Sequence, residues 1–314
     1  MVETHAALSL AAPPPPFDTK PWLGDAFAVP TGAAAVPTML SDEEGQLLYW
    51  LTAEYATGAG AVCDLGCFAG GSTARMAAGI ATSGHDAHLH AFDNFTIQDG
   101  QKEQYLYTAG ITPFDGEEML HAVKQLLTPW ESFTTLHPGD IRETSWRGDP
   151  IEILFIDAGK TPHTADAIAR RFMPYLIPNR SIVVQQDYLH WRQPWIPVQM
   201  ELLSNVMEPV AWCRRGSVAF LATGTVTDAA IDAASLDHLD DAAMTDLLRR
   251  ALQRFPERRQ RAQLARCIMG LQDFPGARRP QQMNGQAFTQ DRINRILAKY
   301  PMPKPGKRQP SAST

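Results

Sequence analysis

Three aspartates and one lysine stand where an α/β protein does its chemistry: Asp93, Asp157 and Asp187, with Lys160 three residues after Asp157. Each aspartate closes a strand-like run, His88–Phe92, Ile151–Ile156 and Ser181–Gln186. Upstream lies Ala61–Thr73, A-V-C-D-L-G-C-F-A-G-G-S-T, an apolar run followed by a glycine turn and a small-residue segment of helical character. A strand, a tight turn and a helix N-terminus bring backbone N–H groups up to a nucleotide-like ligand. Gly66 permits close approach or positive φ, and Gly70 and Gly71 leave room beside the helix start. A plain strand-to-helix turn without a ligand is the competing reading. Ligand crevices in such sheets lie outside the carboxyl ends of the strands. The 66–71 turn, Asp93, Asp157 and Asp187 are therefore expected on one rim.

The spacing excludes two common ligands. A dinucleotide fingerprint places a second glycine two residues after the first, where this chain has Phe68. A Walker loop needs Gly-Lys-Ser/Thr, and Gly71-Ser72 lacks the lysine. Asp64-x-Gly66 with Gly70-Gly71-Ser72-Thr73 instead resembles motif I of class I S-adenosylmethionine-dependent methyltransferases, most of all the small-molecule O-methyltransferases of the macrocin and catechol types. That resemblance covers roughly residues 40–222. It implies a Rossmann-like α/β fold, a mostly parallel sheet with its last strand antiparallel and helices on both faces. It also implies S-adenosylmethionine as cofactor, held by Asp64, Gly66, Phe68, Gly70, Ser72, Asp93, Asp140 and Asp157. Asp93 would meet the ribose diol and Asp140 would lie near the adenine, with a simple N-cap as the alternative for Asp140.

Asp157-x-x-Lys160 resembles the pattern of catechol and caffeoyl-coenzyme-A O-methyltransferases, where the aspartate binds a divalent cation and the lysine takes the hydroxyl proton. The relatives' next strand ends in Asp-Asn or Asp-Asp; here Gln186-Asp187-Tyr188 stands there. Asp157, Gln186 and Asp187 are thus the expected ligands of Mg²⁺ or a similar ion, unless the register slips to Asp187-Tyr188 or Lys160 itself fills the cation's place as an ion pair. The expected base is Lys160, His163 or His190. A base of pKa ~6.5 faces roughly 5 kcal/mol to ionise a phenol of pKa ~10, and about 12 kcal/mol for an aliphatic alcohol near 15.7. Lys160 serves as base only if a cation or burial lowers its pKa toward neutrality.

These groups need elements to hold them. Ser41-Asp42-Glu43-Glu44 opens a predicted helix over 42–56 with a capping-box pattern. Strands follow at 61–65, 87–93, 132–137, 151–157 and 181–187, and helices at 71–82, 117–128, 163–176 and 193–207. Runs at 210–213 and 217–222 suit a closing antiparallel pair. Residues 94–116 lack clean periodicity and read as a lid beside the cofactor mouth. Tyr188, Trp191 and Trp195 either wall an acceptor pocket or pack on the following helix. Residues 1–40, rich in alanine and proline, read as an extended arm, with Phe17, Trp22, Leu23 and Phe27 able to fold it over the site. The core spans 41–225, a helical extension 226–300 with helices at 236–255, 258–271 and 287–300, and a flexible tail 301–314.

Composition sets the outer limits. Hydrophobic residues at 44% and charged residues at 20% describe a soluble globular chain, and no apolar run reaches the ~18 residues of a membrane span. The N-terminus lacks a basic region and runs into prolines, so no signal peptide is expected and the location is read as cytoplasmic. Cys63, Cys67, Cys213 and Cys267 form no C-x-x-C pair and are expected as buried free thiols. Net charge is −6, yet residues 246–314 hold 15 Lys/Arg against 4 Asp/Glu. This basic stretch either docks on the acidic body or meets a polyanion, and RNA is the alternative partner. The expected partner is otherwise a small-molecule hydroxyl acceptor, with a homodimer through the C-terminal helices.

Overall fold

The computed structural model describes residues 16–285 and 288–301. Seven strands, β1 (Ala61–Leu65), β2 (Leu89–Asp93), β3 (Thr134–Pro138), β4 (Ile151–Ile156), β5 (Ile182–Gln185), β6 (Met207–Trp212) and β7 (Val218–Ala222), form one sheet in the order β3-β2-β1-β4-β5-β7-β6. The first five strands, β3-β2-β1-β4-β5 in sheet order, pair in parallel, and β7 runs antiparallel to both β5 and β6. This is a Rossmann-like α/β arrangement with an antiparallel end, as expected from the sequence. Strand order reverses between β1 and β4, which opens a crevice at their carboxyl ends.

β1 and β4 are buried along their whole length, consistent with their unbroken apolar runs. One face is covered by α2 (Asp42–Trp50) and α3 (Gly71–Ser83), the other by α6 (Pro162–Phe172), α7 (Trp195–Leu202), α9 (Asp241–Ala251) and α10 (Arg258–Asp273). The cap at α2 forms as the sequence predicts: Ser41 N donates to Glu44 Oε2 (2.9 Å) and Ser41 Oγ accepts from Glu44 N. α2 then widens into a π-helical turn, Leu51–Tyr55. Thr161 caps α6 and Pro162 sits at its first position, where the missing N–H is harmless.

Several boundaries move. β5 stops at Gln185, so Gln186 and Asp187 fall in the turn beyond it. The helix predicted over 163–176 ends at Phe172 and tightens into a 3₁₀ turn at Pro174. Within 94–116, the structure forms α4 (Asp99–Tyr105) and is tied back by buried Lys102, which donates to Gly116 O (2.5 Å) and Phe114 O (3.2 Å). Residues 17–36 are not one extended arm. They form three 3₁₀ turns and the short helix α1 (Thr31–Ala34), because Phe17 and Trp22 bury themselves against Trp50 and Tyr55. The proline run before Pro16 and the tail from Met302 lie outside the described residues.

The helices after β7 share the core of the sheet: Leu247, Leu248, Leu264 and Ile268 sit in one cluster with Leu154 and Val183. The last, α11 (Gln290–Lys299), packs on α10. Many of their arginines face the chain's own acceptors: Arg254 to Glu201 (2.5 Å), Arg292 to Asp273 (2.8 Å) and buried Arg261 to Leu252 O (2.5 Å). All four cysteines are free and buried. No helix among the described residues is long and apolar enough to cross a membrane.

Candidate active site

The glycine turn is shaped by close approach. Gly66 has φ +96°, and a Cβ there would lie 3.0 Å from the carbonyl carbon of Asp157 and 3.1 Å from Ala158 N. Gly66→Ala is expected to weaken binding of S-adenosylhomocysteine by about tenfold or more in calorimetry, from backbone strain of ~1–3 kcal/mol plus the clash; unchanged affinity would show that the turn tolerates a side chain. At Gly71 a Cβ would lie 2.4 Å from Pro37 O, because residues 37–40 press onto the helix start. Buried Arg75 pins that segment by donating to Ala33 O (3.3 Å), Val36 O (3.4 Å) and Gly71 O (2.8 Å).

Asp64 is fully buried behind the turn. Its Oδ2 accepts from Ser72 Oγ (2.7 Å) and Thr73 Oγ1 (2.6 Å), while Oδ1 has no partner among the described residues. Burial pushes its carboxyl up to about 7, against the pull of the two hydroxyls. Asp64 therefore braces the turn from behind. Asp93 accepts from Phe68 N (3.0 Å) through one oxygen and Phe95 N (2.8 Å) through the other, and burial raises its pKa. Phe68 adopts φ +47° and meets Tyr105 of α4 edge-on.

A cavity of about 360 Å³ opens at this rim, lined by Gly66, Phe68, Asp93, Asp140, Asp157 and Lys160 among others. Ser72 lines a smaller adjoining cleft beneath Met39, and Gly70 packs instead on Leu127. Asp140 is paired with Arg142, whose Nε lies 2.9 Å from both carboxylate oxygens and whose N–H donates to Oδ1 (2.8 Å). These hydrogen bonds hold the Asp140 carboxyl down at about 2. A cradle that a single Cβ would fill, with a carboxylate on each side, fits a nucleoside bearing a cationic sulfur.

The chemistry-bearing turn follows β4. The Lys160 ammonium lies between two carboxylates, Asp157 Oδ1 and Asp187 Oδ2, the latter at 2.5 Å. Burial pulls its pKa down, but the two carboxylates outweigh burial and hold Lys160 above its ordinary value. Lys160 is therefore a fixed cation, which corrects its expected role as base. Asp187 also accepts from Gln193 Nε2 (2.6 Å), and it stays below the usual carboxylate range because Lys160 overrides burial. Asp157 goes the other way: burial raises it to about 6, opposed by Lys160 and reinforced by Asp187 and Glu44.

The expected cation trio is not assembled. Lys160 holds one oxygen each of Asp157 and Asp187, and Gln186 is tied through its amide to Ser217 Oγ (2.5 Å). Ser217 also bonds buried Glu44 (2.7 Å). Among the described residues no three His, Cys, Asp or Glu side chains group to hold a metal ion. In this arrangement the Lys160 ammonium occupies the place between the two carboxylates.

Other expectations separate. His163 is exposed and lines a second cavity, whereas His190 lines neither cavity. Tyr188 packs on Phe220 and Phe255, Trp191 on Phe274 and Phe288, and Trp195 donates to Gly159 O (2.8 Å) from full burial. These aromatics line none of the three cavities. Sequence reasoning missed Arg142, Glu44 and Ser217. Arg142 is legible as a near neighbour of Asp140; Ser217 carries no signal, since only the β5–β7 pairing brings it to Gln186.

Residues 63–188 match a family model described as Methyltransferase domain. No curated protein matches the chain. Among solved structures, the O-methyltransferase NovP is similar at 14% identity over 60% of this chain and 82% of its own, with a TM-score of 0.46. The SAH-bound Podospora anserina methyltransferase PaMTH1 is similar at 12% identity, over 59% and 80%, with a TM-score of 0.41. Coclaurine N-methyltransferase bound to N-methylheliamine and SAH is similar at 12% identity, over 83% and 74%, with a TM-score of 0.32.

Proposed function

We propose that this chain is a class I S-adenosylmethionine-dependent methyltransferase that methylates a hydroxyl of a small molecule, with Asp157 as proton acceptor and Lys160 as a fixed cation. The observation that carries this reading is the Asp157–Lys160–Asp187 group at the edge of the cofactor cleft. When bound, S-adenosylmethionine supplies an electrophilic methyl group on a positively charged sulfur. The 66–71 turn and Asp93 hold the nucleoside end. Asp157 then takes the acceptor's proton as its oxygen becomes the nucleophile, and the Lys160 ammonium offsets charge developing on that oxygen.

Magnitude selects the acceptor. With Asp157 at about 6, ionising a phenol of pKa ~10 takes roughly 5 kcal/mol. An aliphatic hydroxyl near 15.7 takes about 13 kcal/mol, which a single carboxylate cannot readily supply. A phenolic or enolic hydroxyl therefore suits this site better than a sugar hydroxyl. Because Lys160 already supplies a positive charge between the carboxylates, we expect turnover to be independent of added Mg²⁺. Labelled methyl transfer to a panel of phenols, run in EDTA and in excess Mg²⁺, should give equal rates. Activity lost in EDTA and restored by Mg²⁺ would instead assign Asp157 and Asp187 to a cation.

A further inference from the structure

A second cavity, of about 660 Å³, adjoins the cofactor cleft and shares Arg142, Lys160 and Thr164 with it. One wall is the start of α6 (Thr161–Thr164), and the other comes from the C-terminal extension, at Leu236, Asp237 and residues 278–281. Four cationic side chains line it: Arg142, Lys160, Arg278 and Arg279. Their counter-charges stand outside this lining. Asp140 pairs with Arg142, Asp157 and Asp187 pair with Lys160, and Asp241 pairs with Arg278 (2.7 Å), yet none of the four carboxylates faces this cavity. Arg278 is further fixed by donating to Leu239 O (3.1 Å). Arg279 is exposed and makes no ion pair among the described residues. Asp237 is the one acidic side chain lining this cavity among the described residues. The positive end of α6 points the same way as the arginines.

We propose that this cavity seats the methyl acceptor and that the acceptor carries an oxyanion, a carboxylate or a phosphate. Arg279 and Arg142 hold the oxyanion, and the acceptor's hydroxyl reaches past Lys160 on the shared edge to Asp157 in the cofactor cleft. The inference rests on the methyl-transfer reading and deepens it by naming the acceptor's charge. Guanidinium groups are suited to this task because their paired N–H donors match both oxyanions. It also gives the helices after β7 a function: they close the far side of the acceptor site.

The test uses the full chain, with inorganic phosphate as probe and ³¹P line width as readout at constant ionic strength, with and without S-adenosylhomocysteine. Saturable phosphate binding is expected, unaffected by S-adenosylhomocysteine and weakened about tenfold or more in Arg279→Gln. Arg279→Lys should lie between, and Asp237→Asn should tighten binding severalfold by removing a like charge. Arg279 and Asp237 are exposed, so these variants should fold. Absence of saturable binding, equal affinity in Arg279→Gln, or displacement of phosphate by S-adenosylhomocysteine would each overturn the proposal. Benzoate and phenyl phosphate as competitors then distinguish a carboxylate site from a phosphate site by which displaces the ion at lower concentration. Calorimetry with S-adenosylhomocysteine on the same sample separates the two readings. Heat without a phosphate site retires the anionic acceptor alone; no heat retires methyl transfer, and the acceptor assignment with it.

Discussion

Asp157→Asn is expected to lower kcat by 10²–10⁴-fold, the range a positioned general base contributes, while calorimetric affinity for S-adenosylhomocysteine changes little. The carboxylate sits in the turn after β4, one-quarter exposed, with Lys160 on one oxygen. Burial, Asp187 and Glu44 all favour its protonated form, and Lys160 opposes them, leaving it at about 6. The working form is the carboxylate, so protonation removes activity. Below about pH 6 the wild-type kcat/KM should fall tenfold per unit, and above it should level off. Asparagine cannot titrate, so the variant should lose this acidic limb along with its rate. A variant that keeps both the rate and the limb would move the base to another residue, with His163 the first to examine. The fold should survive the change, because Lys160 keeps Asp187 as its partner.

The largest loss of stability is expected far from the reacting groups, at Glu152. This side chain is fully buried near the start of β4 and accepts four hydrogen bonds: Thr57 N (2.9 Å), Thr57 Oγ1 (3.0 Å), Ala59 N (3.0 Å) and Arg180 Nε (2.6 Å). It thereby ties the loop before β1 to β4 and to the residues that lead into β5. Arg180 continues the network, donating to Tyr55 O (3.3 Å) and lying over the Tyr55 ring, whose hydroxyl donates back to Arg180 O (2.8 Å). Removing one partner of a buried ion pair destabilises by about 3–5 kcal/mol. Arg180 is 31% exposed and regains some hydration, so the lower end of that range applies. Glu152→Ala should therefore lower Tm by about 5 °C. Glu152→Gln, which keeps the acceptor oxygen, should lose less. If Glu152→Ala melts within a degree or two of wild type, the network does not hold these strands in register.

The sheet was legible because its signals are local. Runs such as Ile151–Ile156 are buried on both faces, so they read as continuous apolar stretches, and Gly66 marks a turn that only a glycine fits. The α2 cap likewise depends on two residues three apart. Boundaries moved where packing rather than propensity ends an element. The 17–36 segment coils because Phe17 and Trp22 find Trp50 and Tyr55, partners that no window of neighbouring residues contains. The same limit governs the aromatics after β5, whose burial against Phe220, Phe255, Phe274 and Phe288 depends on helices far along the chain.

The linear order of residues sufficed to place Asp93, Asp157 and Lys160 on one rim, since strand ends in a parallel sheet converge wherever the connections are right-handed crossovers. It could not say what charge each group carries there. Whether Lys160 gives up its proton is settled by two carboxylates, one of them 27 residues away, lying against the same ammonium. Electrostatic energy depends on distance through space and on how much water remains between charges, and both are properties of the folded chain alone.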